Sequence, residues 1–102
     1  MLHVYLVTYD IRDDKRLRAV FKKMRGYGQH IQYSVFRCEL SAANKVRMTS
    51  DLASLIDHRR DQVFLFNLGP ADGLRADTGL RADLVESLGE AYIVDDRNAV
   101  VI

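Results

Sequence analysis

Apolar residues dominate the first stretch of the chain, where they occupy both alternating sets of positions between residues 2 and 9. Several of them are β-branched or aromatic. This pattern is typical of a strand inside a sheet that is covered on one face and partly on the other. We therefore predict a central first strand that ends at Asp10.

A helical pattern follows this strand. Four apolar residues recur at intervals of three and four, which is the spacing of one helix face. They are Leu17, Val20, Phe21 and Met24. Asp13 or Asp14 can cap the helix, because a short acidic side chain accepts the unpaired N–H groups of a first turn. The segment Gly26-Tyr27-Gly28 is expected to end the helix, with Gly28 as a left-handed C-cap.

Residues 30–40 form a second β-rich stretch, and its alternation changes phase near Ser34. We interpret the change as a bulge or bend that divides one long strand into two. Ser41 is expected to cap a second helix. A further apolar strand over residues 62–68 is stopped by the Gly-Pro pair that follows it. The predicted buried face of the second helix carries Val46, Thr49, Leu52, Ala53 and Ile56.

The order of these elements predicts the fold class. It indicates an α+β domain in which two helices pack on one face of an antiparallel sheet, and the ferredoxin-like sandwich is the most economical arrangement of this kind. We predict one such domain over residues 1–102, with a variable loop at about 71–83 and a C-terminal strand at about 91–102. An apolar terminal strand with no partner in its own chain favours exchange within a homodimer.

Composition narrows the class of protein. The chain has 102 residues, of which 48% are hydrophobic and 28% are charged, so it can fold as one globular domain. No stretch approaches the roughly 20 apolar residues of a membrane-spanning helix, and no basic segment precedes the first strand as in a signal peptide. Cys38 is the one cysteine, which excludes an internal disulfide. We therefore expect a cytoplasmic protein without a membrane partner.

The net charge of +1 conceals an uneven distribution. Residues 1–60 hold 12 lysines and arginines against 6 acidic residues, whereas residues 61–102 hold 3 against 8. Seven of the basic residues lie in residues 12–25. Such a block indicates contact with a polyanion, and a solvated helix face explains it equally well. The candidates for binding nucleic-acid phosphates are Arg12, Lys15, Arg16, Arg18 and Lys22.

Asp10 is the candidate metal ligand. A carboxylate at the end of a buried strand is held rigidly and still faces solvent, and Mg²⁺ requires only one or two protein carboxylates. The bound Mg²⁺, or Mn²⁺, can polarise a phosphodiester and lower the pKa of a water molecule. In a two-fold dimer, two copies of Asp10 can meet at the axis. The alternative is that Asp10 caps the following turn, as Asp13 and Asp14 are expected to do for the helix.

Two segments of the sequence are similar to the motifs of a known family. Residues 9–16, YDIRDDKR, and residues 32–40, QYSVFRCEL, resemble in order and spacing two motifs of the CRISPR-associated protein two family, with weaker similarity at residues 86–89 and 96–102. The resemblance implies a ferredoxin-like homodimer whose C-terminal strand crosses to its partner and which acts with the CRISPR integrase. It also implies a Mg²⁺-dependent nuclease activity, which some members have and others lack.

The resemblance also implies roles for residues. Asp10 matches the metal carboxylate of the family, and Tyr9 and Phe36 match residues that support catalysis. From the residues alone, Tyr9 can donate to a phosphate and Phe36 can stack on a base, while core packing accounts for both as well. The chain departs from the family pattern at Leu17 and at His30, where basic residues are usual, so His30 replaces a fixed charge with a titratable one.

Three functions remain open on the sequence alone. The first is an architectural dimer that binds double-stranded DNA during CRISPR spacer acquisition. The second is a metal-dependent endonuclease that cleaves RNA or DNA at Asp10, either in this same family or in a ribonuclease toxin of the related virulence-associated D-type family. The third is an interaction domain that binds no nucleic acid, and the basic block and the Asp10 motif argue against it.

Overall fold

The computed structural model describes residues 1–71 and 88–89 of the chain. Its elements, in chain order, are β1 (His3–Asp10), α1 (Asp14–Met24), β2 (Gly28–Gln32), β3 (Val35–Leu40), α2 (Ala42–Leu55) and β4 (Gln62–Pro70). The two helices have 11 and 14 residues. Among the residues described, no helix is long and apolar enough to cross a membrane.

The four strands form one antiparallel sheet in the order β2-β3-β1-β4. β1 is therefore a central strand, as its apolar pattern predicts, and each helix connects two strands that are separated by one other strand. This is the ferredoxin-like topology, so the predicted α+β class is confirmed. Beyond Ala71, the predicted loop at about 71–83 and the predicted exchanged strand at about 91–102 lie outside the described residues.

The core lies between one face of the sheet and both helices. Alternate residues of β1, namely Tyr5, Val7 and Tyr9, point towards the helices. Their buried partners from α1, β3 and α2 are Val20, Met24, Phe36, Cys38, Leu40, Met48 and Leu52. The other residues of β1, which include Leu6 and Asp10, belong to the opposite face because side chains alternate along a strand. Tyr9 and Asp10 are therefore adjacent in sequence but lie on opposite faces of the sheet.

Helix α1 has the predicted cap and the predicted apolar face. The Asp13 carboxylate accepts a hydrogen bond of 2.9 Å from the backbone N–H three residues later, and this bond lowers the pKa of Asp13. Val20 and Met24 are fully buried, and Leu17 and Phe21 pack against the core beside them. The prediction for this helix is confirmed at its start and along its face.

The helix α1 ends just before the predicted segment Gly26-Tyr27-Gly28, but the predicted left-handed cap at Gly28 is wrong. The helix ends at Met24, and Gly28 is the first residue of β2. A Cβ atom at Gly28 would collide with the backbone carbonyl oxygen of Arg37 and with Sγ of Cys38 on the neighbouring strand. Glycine is needed here because β3 approaches closely, and not because the backbone is left-handed.

Helix α2 begins as predicted, but its buried face is displaced. The Ser41 hydroxyl accepts a hydrogen bond of 3.1 Å from the backbone N–H three residues later. Leu52 is buried as predicted, whereas Val46 is 66% exposed and Met48 is fully buried instead. The ammonium of Lys45 lies over the ring of Tyr5, 5.8 Å from its centroid. Lys45 therefore packs on the same side of α2 as Met48, three residues later. A prediction based on apolar residues alone does not count a lysine as part of a buried face.

A hairpin replaces the bend predicted near Ser34. The β2–β3 register shifts between His30 and Gln32, so the predicted irregularity is present, but the chain then reverses through Tyr33 and Ser34. Tyr33 has a φ of 40°, in the left-handed region that bulky residues rarely adopt. The Nε2 atom of His30 donates a hydrogen bond of 2.7 Å to the carbonyl oxygen of Tyr33, and this bond helps to hold the turn.

Candidate functional site

Asp10 ends the central strand β1 with its carboxylate open to solvent. It pairs with Gln62 of β4 across the sheet, and 65% of its side chain is exposed. An oxygen of Asp10 lies 3.5 Å from Nη2 of Arg12, whose side chain is 63% exposed. Both features of the sequence prediction, a fixed backbone and an accessible carboxylate, are present. Asp10 does not cap the following helix, because the cap of that helix is Asp13.

The described part of one chain contributes a single carboxylate to this point. Within residues 1–71 and 88–89, no three His, Cys, Asp or Glu side chains come together as a metal-binding group. Asp13 is occupied as the helix cap. One exposed carboxylate suits Mg²⁺, which retains most of its water molecules, but it is a single protein ligand. A cation at Asp10 would therefore need a further ligand besides this one carboxylate and water.

Tyr9 and Phe36 lie in the core, on the face of the sheet away from Asp10. Tyr9 is 6% exposed and Phe36 is fully buried, and their stacked rings are 6.2 Å apart between centroids. Phe36 therefore has no ring face open to a base, and its contacts are those of a packing residue. Burial raises the pKa of the Tyr9 hydroxyl to about 12, against a smaller opposite effect of Ser34. At neutral pH the Tyr9 hydroxyl is therefore protonated and is able to donate.

Arg16, a predicted phosphate ligand, is engaged by an acidic residue that the sequence analysis did not single out. Its Nε and Nη2 atoms donate to the two carboxylate oxygens of Asp61 at 2.8 and 3.1 Å. The Asp61 carboxylate has no solvent exposure, and it also accepts the backbone N–H groups of Arg12 at 2.9 Å and Asp57 at 2.8 Å. These bonds, the one from Arg16 above all, hold the pKa of Asp61 far below its ordinary value. Asp61 therefore ties the segment between β1 and α1 to the segment that precedes β4.

A row of basic side chains follows one flank of α1. Lys15, Arg18, Lys22 and Arg25 are spaced at i, i+3, i+7 and i+10 and are all at least partly exposed. None of the four forms an ion pair with another described residue, whereas Arg16 pairs with Asp61 and Arg12 lies beside Asp10. We refer to these four residues as the basic row. Its charges are available to phosphates, which is the arrangement predicted for Lys15, Arg18 and Lys22.

Comparisons with known proteins agree with this geometry. The sequence profile of a family described as CRISPR associated protein Cas2 matches residues 1–73. The chain is 48% identical over 101 residues to CRISPR-associated endoribonuclease Cas2 1 of Rhodospirillum rubrum, covering 98% of this chain and 91% of that protein. It is 34% identical over 102 residues to CRISPR-associated endoribonuclease Cas2 of Geobacter sulfurreducens, covering the whole of both.

The fold has a counterpart among solved structures. The crystal structure of Streptococcus pyogenes Cas2 superposes with a TM-score of 0.68 and 34% sequence identity, covering 84% of this chain and 99% of that chain. The resemblance predicted from the two sequence motifs is thereby confirmed. This chain belongs to the CRISPR-associated protein Cas2 family.

Proposed function

We propose that this protein is an endonuclease of a CRISPR system, which hydrolyses phosphodiester bonds of RNA or DNA at Asp10. The single observation that carries the proposal is the open carboxylate of Asp10 at the end of the central strand, 3.5 Å from an arginine. Relatives that share 48% and 34% of its residues are named endoribonucleases, which supports the same class of reaction here. The carboxylate of Asp10 and the neighbouring guanidinium of Arg12 suit a phosphodiester, because its hydrolysis needs charge neutralisation and an activated water molecule.

The proposed active form is a homodimer. The face of the sheet that carries Asp10 also carries Phe64 and Phe66, which are 50% and 49% exposed, because they stand opposite Thr8 and Leu6 in the β1–β4 register. Large apolar side chains on an open sheet face favour burial against another surface. A second copy on this face would bring two Asp10 carboxylates close to a two-fold axis.

In this proposal the two Asp10 carboxylates would hold one Mg²⁺ or Mn²⁺. When bound, the cation supplies a Lewis acid that polarises the phosphoryl oxygen and acidifies a water molecule. Arg12, whose Nη2 atom lies 3.5 Å from an Asp10 oxygen, would supply a fixed positive charge beside the bound phosphodiester. The basic row holds the remainder of the nucleic-acid backbone by charge, without reading its sequence.

A metal-titrated cleavage assay tests the nuclease directly. Wild type and Asp10→Ala are purified identically and incubated with labelled RNA and DNA in the presence of Mg²⁺, Mn²⁺ or EDTA. We expect cleavage by the wild type only with a cation, and none by Asp10→Ala. Equal cleavage by both proteins would reject Asp10 as the reaction centre.

A second function is favoured by a separate observation, the basic row without ion pairs among the described residues. The dimer can bind a DNA duplex through this row as an architectural partner of the CRISPR integrase during spacer acquisition. Retained duplex binding without any cleavage, in wild type and variant alike, would identify this as the function. Loss of duplex binding on removal of the basic row would support it further.

A further inference from the structure

A cavity of about 410 Å³ opens between α1 and the β2–β3 turn. It lies on the helix side of the sheet, whereas Asp10 belongs to the opposite face. Its inner surface is formed by Tyr9, Leu17 and Phe21, which belong to the core or pack against it. The volume lies within the range of about 300–1,000 Å³ that is typical of small-molecule sites. An apolar, partly aromatic interior of this size suits one planar ring system.

Three cations line the same cavity. They are Arg18, Lys22 and Arg25 of the basic row, and none of them is paired with an acidic residue in the described part of the chain. No acidic side chain lines this cavity among the residues described. A second cavity, between α1 and α2, is lined by Lys22 and Lys23 but also by Asp51, which accepts a hydrogen bond of 2.6 Å from the Tyr27 hydroxyl. The first cavity therefore has the larger excess of positive charge, which favours an anionic ligand there.

Tyr33 contributes an exposed aromatic ring to the cavity. The residue is 65% exposed and has a φ of 40°. A bulky residue in this conformation costs free energy that a glycine would avoid, and the hydrogen bond from His30 to its carbonyl oxygen holds it there. Exposed rings beside cations are the elements with which proteins bind unpaired bases, because stacking and phosphate contact then act together.

Two residues that carry hydroxyl groups, Tyr9 and Ser34, line the cavity. The hydroxyl oxygen of Tyr9 is itself buried, without a hydrogen bond of good geometry to any described residue, although Ser34 is close enough to lower its pKa. Ser34 is only partly buried, so it gives the wall a hydroxyl group for the polar edge of a base.

We propose that this cavity binds one unpaired nucleotide, whose base stacks on Tyr33 and enters the apolar interior while its phosphate contacts Arg18 and Lys22. The ligand is a 5′-phosphorylated nucleotide, which is either free in solution or the terminal nucleotide of a strand. This inference rests on the proposed function in one respect only, namely that the ligand comes from nucleic acid. Its site does not contain Asp10.

Calorimetric titration of the full-length protein tests the proposal. The ligands are AMP, adenosine, and two short single-stranded oligonucleotides that differ only in a 5′-phosphate. We expect AMP to bind and adenosine to bind more weakly, because adenosine lacks the charge. Binding of AMP alone identifies a free nucleotide as the source, and tighter binding of the phosphorylated strand identifies a strand end. If neither AMP nor the phosphorylated strand binds, the proposal is overturned.

Matched variants separate the cavity from general attraction to charge. Tyr33→Gly removes the ring while suiting the turn, and we expect it to weaken AMP binding about fivefold or more, the lower end for one base–aromatic stack; Tyr33→Phe should bind as the wild type does. Arg18→Gln should weaken AMP binding, whereas Arg47→Gln, on the exposed surface of α2, should not. Equal AMP binding by Tyr33→Gly and wild type would refute the site.

A last comparison separates this inference from the cleavage at Asp10. Asp10→Asn should bind AMP with the affinity of the wild type, because Asp10 does not line the cavity. Abolished cleavage with unchanged AMP binding would support both proposals. AMP binding that fails together with cleavage in Asp10→Asn would contradict the separation of the two sites.

Discussion

Arg16 and Asp61 lie 45 positions apart in the chain and form a bidentate ion pair. The carboxylate is fully screened from solvent, and 26% of the arginine side chain is exposed. This pair holds the start of α1 against the segment before β4. It fixes the position from which Arg12 reaches Asp10, because Asp61 also accepts the backbone N–H of Arg12. An arginine that the sequence assigns to nucleic acid therefore also maintains the shape of the candidate active site.

The Asp61 pair predicts how stability depends on pH. Because the pKa of Asp61 is lower in the folded state than its ordinary value of about 3.9, the unfolded chain binds more protons as the pH falls through that range. The contribution of Asp61 is complete above about pH 5 and is lost as the pH falls towards its folded pKa. Urea unfolding between pH 2 and 6 should show a steeper loss of unfolding free energy for wild type than for Asp61→Asn. Parallel curves would contradict this assignment.

The basic row predicts a difference between two neighbouring arginines. Replacing Arg18 and Lys22 together should reduce the slope of log K against log salt for duplex binding by about 0.9 for each phosphate that the variant no longer neutralises. Arg16→Gln should change the slope less, because its guanidinium is already paired with Asp61. Fluorescence anisotropy at four or more salt concentrations measures both slopes. A larger change for Arg16→Gln than for the double variant would show that the pair opens on binding.

Gly28 predicts a steric cost. Gly28→Ala brings a Cβ atom against backbone and sulfur atoms of β3, so we expect a loss of roughly 1–3 kcal/mol of unfolding free energy, the usual range for overpacking. Gly26→Ala is the matched control, because its Cβ would lie 3.4 Å from the nearest heavy atom, the carbonyl oxygen of Lys23. We expect the control to change stability by no more than about 0.5 kcal/mol. Urea denaturation compares the two, and equal effects would reject the steric explanation.

The strain at Tyr33 predicts a gain. Tyr33→Gly should increase the unfolding free energy by about 0.5–1 kcal/mol, since relief of a left-handed tyrosine exceeds the entropy that glycine adds to the unfolded chain. Tyr33→Ala keeps the strain and lacks the ring, so it should be less stable than the glycine variant. Denaturant midpoints measure this order. An alanine variant more stable than the glycine variant would be inconsistent with strain at this φ of 40°.

Local features of the fold could be predicted from the sequence. The apolar face of α1 and the caps at Asp13 and Ser41 depend on residues within a turn or two, so spacing and residue type suffice. The hairpin at Tyr33 could not be predicted, because a tyrosine occupies a left-handed position that turn rules assign to glycine or asparagine. The buried face of α2 was predicted only in part: Leu52 is buried and Ile56 packs against the core, whereas Met48 is buried in place of Val46. Lys45 packs over Tyr5 on this face, and a pattern of apolar residues does not register a lysine.

The candidate site was only partly predictable for a related reason. The exposed end of β1 follows from its pattern, and with it the position of Asp10. No spacing rule joins Arg16 to a carboxylate 45 residues away, so that pair required the tertiary structure. The cavity beside Tyr33 likewise depends on how α1 meets the β2–β3 turn. The catalytic roles predicted for Tyr9 and Phe36 remain predictions, since both residues pack in the core.

The assignment of Asp10 as the reaction centre is tested by the initial cleavage rate of Asp10→Asn relative to wild type at saturating Mg²⁺. Asparagine preserves the shape of the side chain and removes its charge, so dimer formation and duplex binding should remain as in the wild type. We expect a rate at least about a hundredfold lower, because a bound cation contributes several kcal/mol to such a transition state. Cleavage by Asp10→Asn at the wild-type rate would contradict the claim.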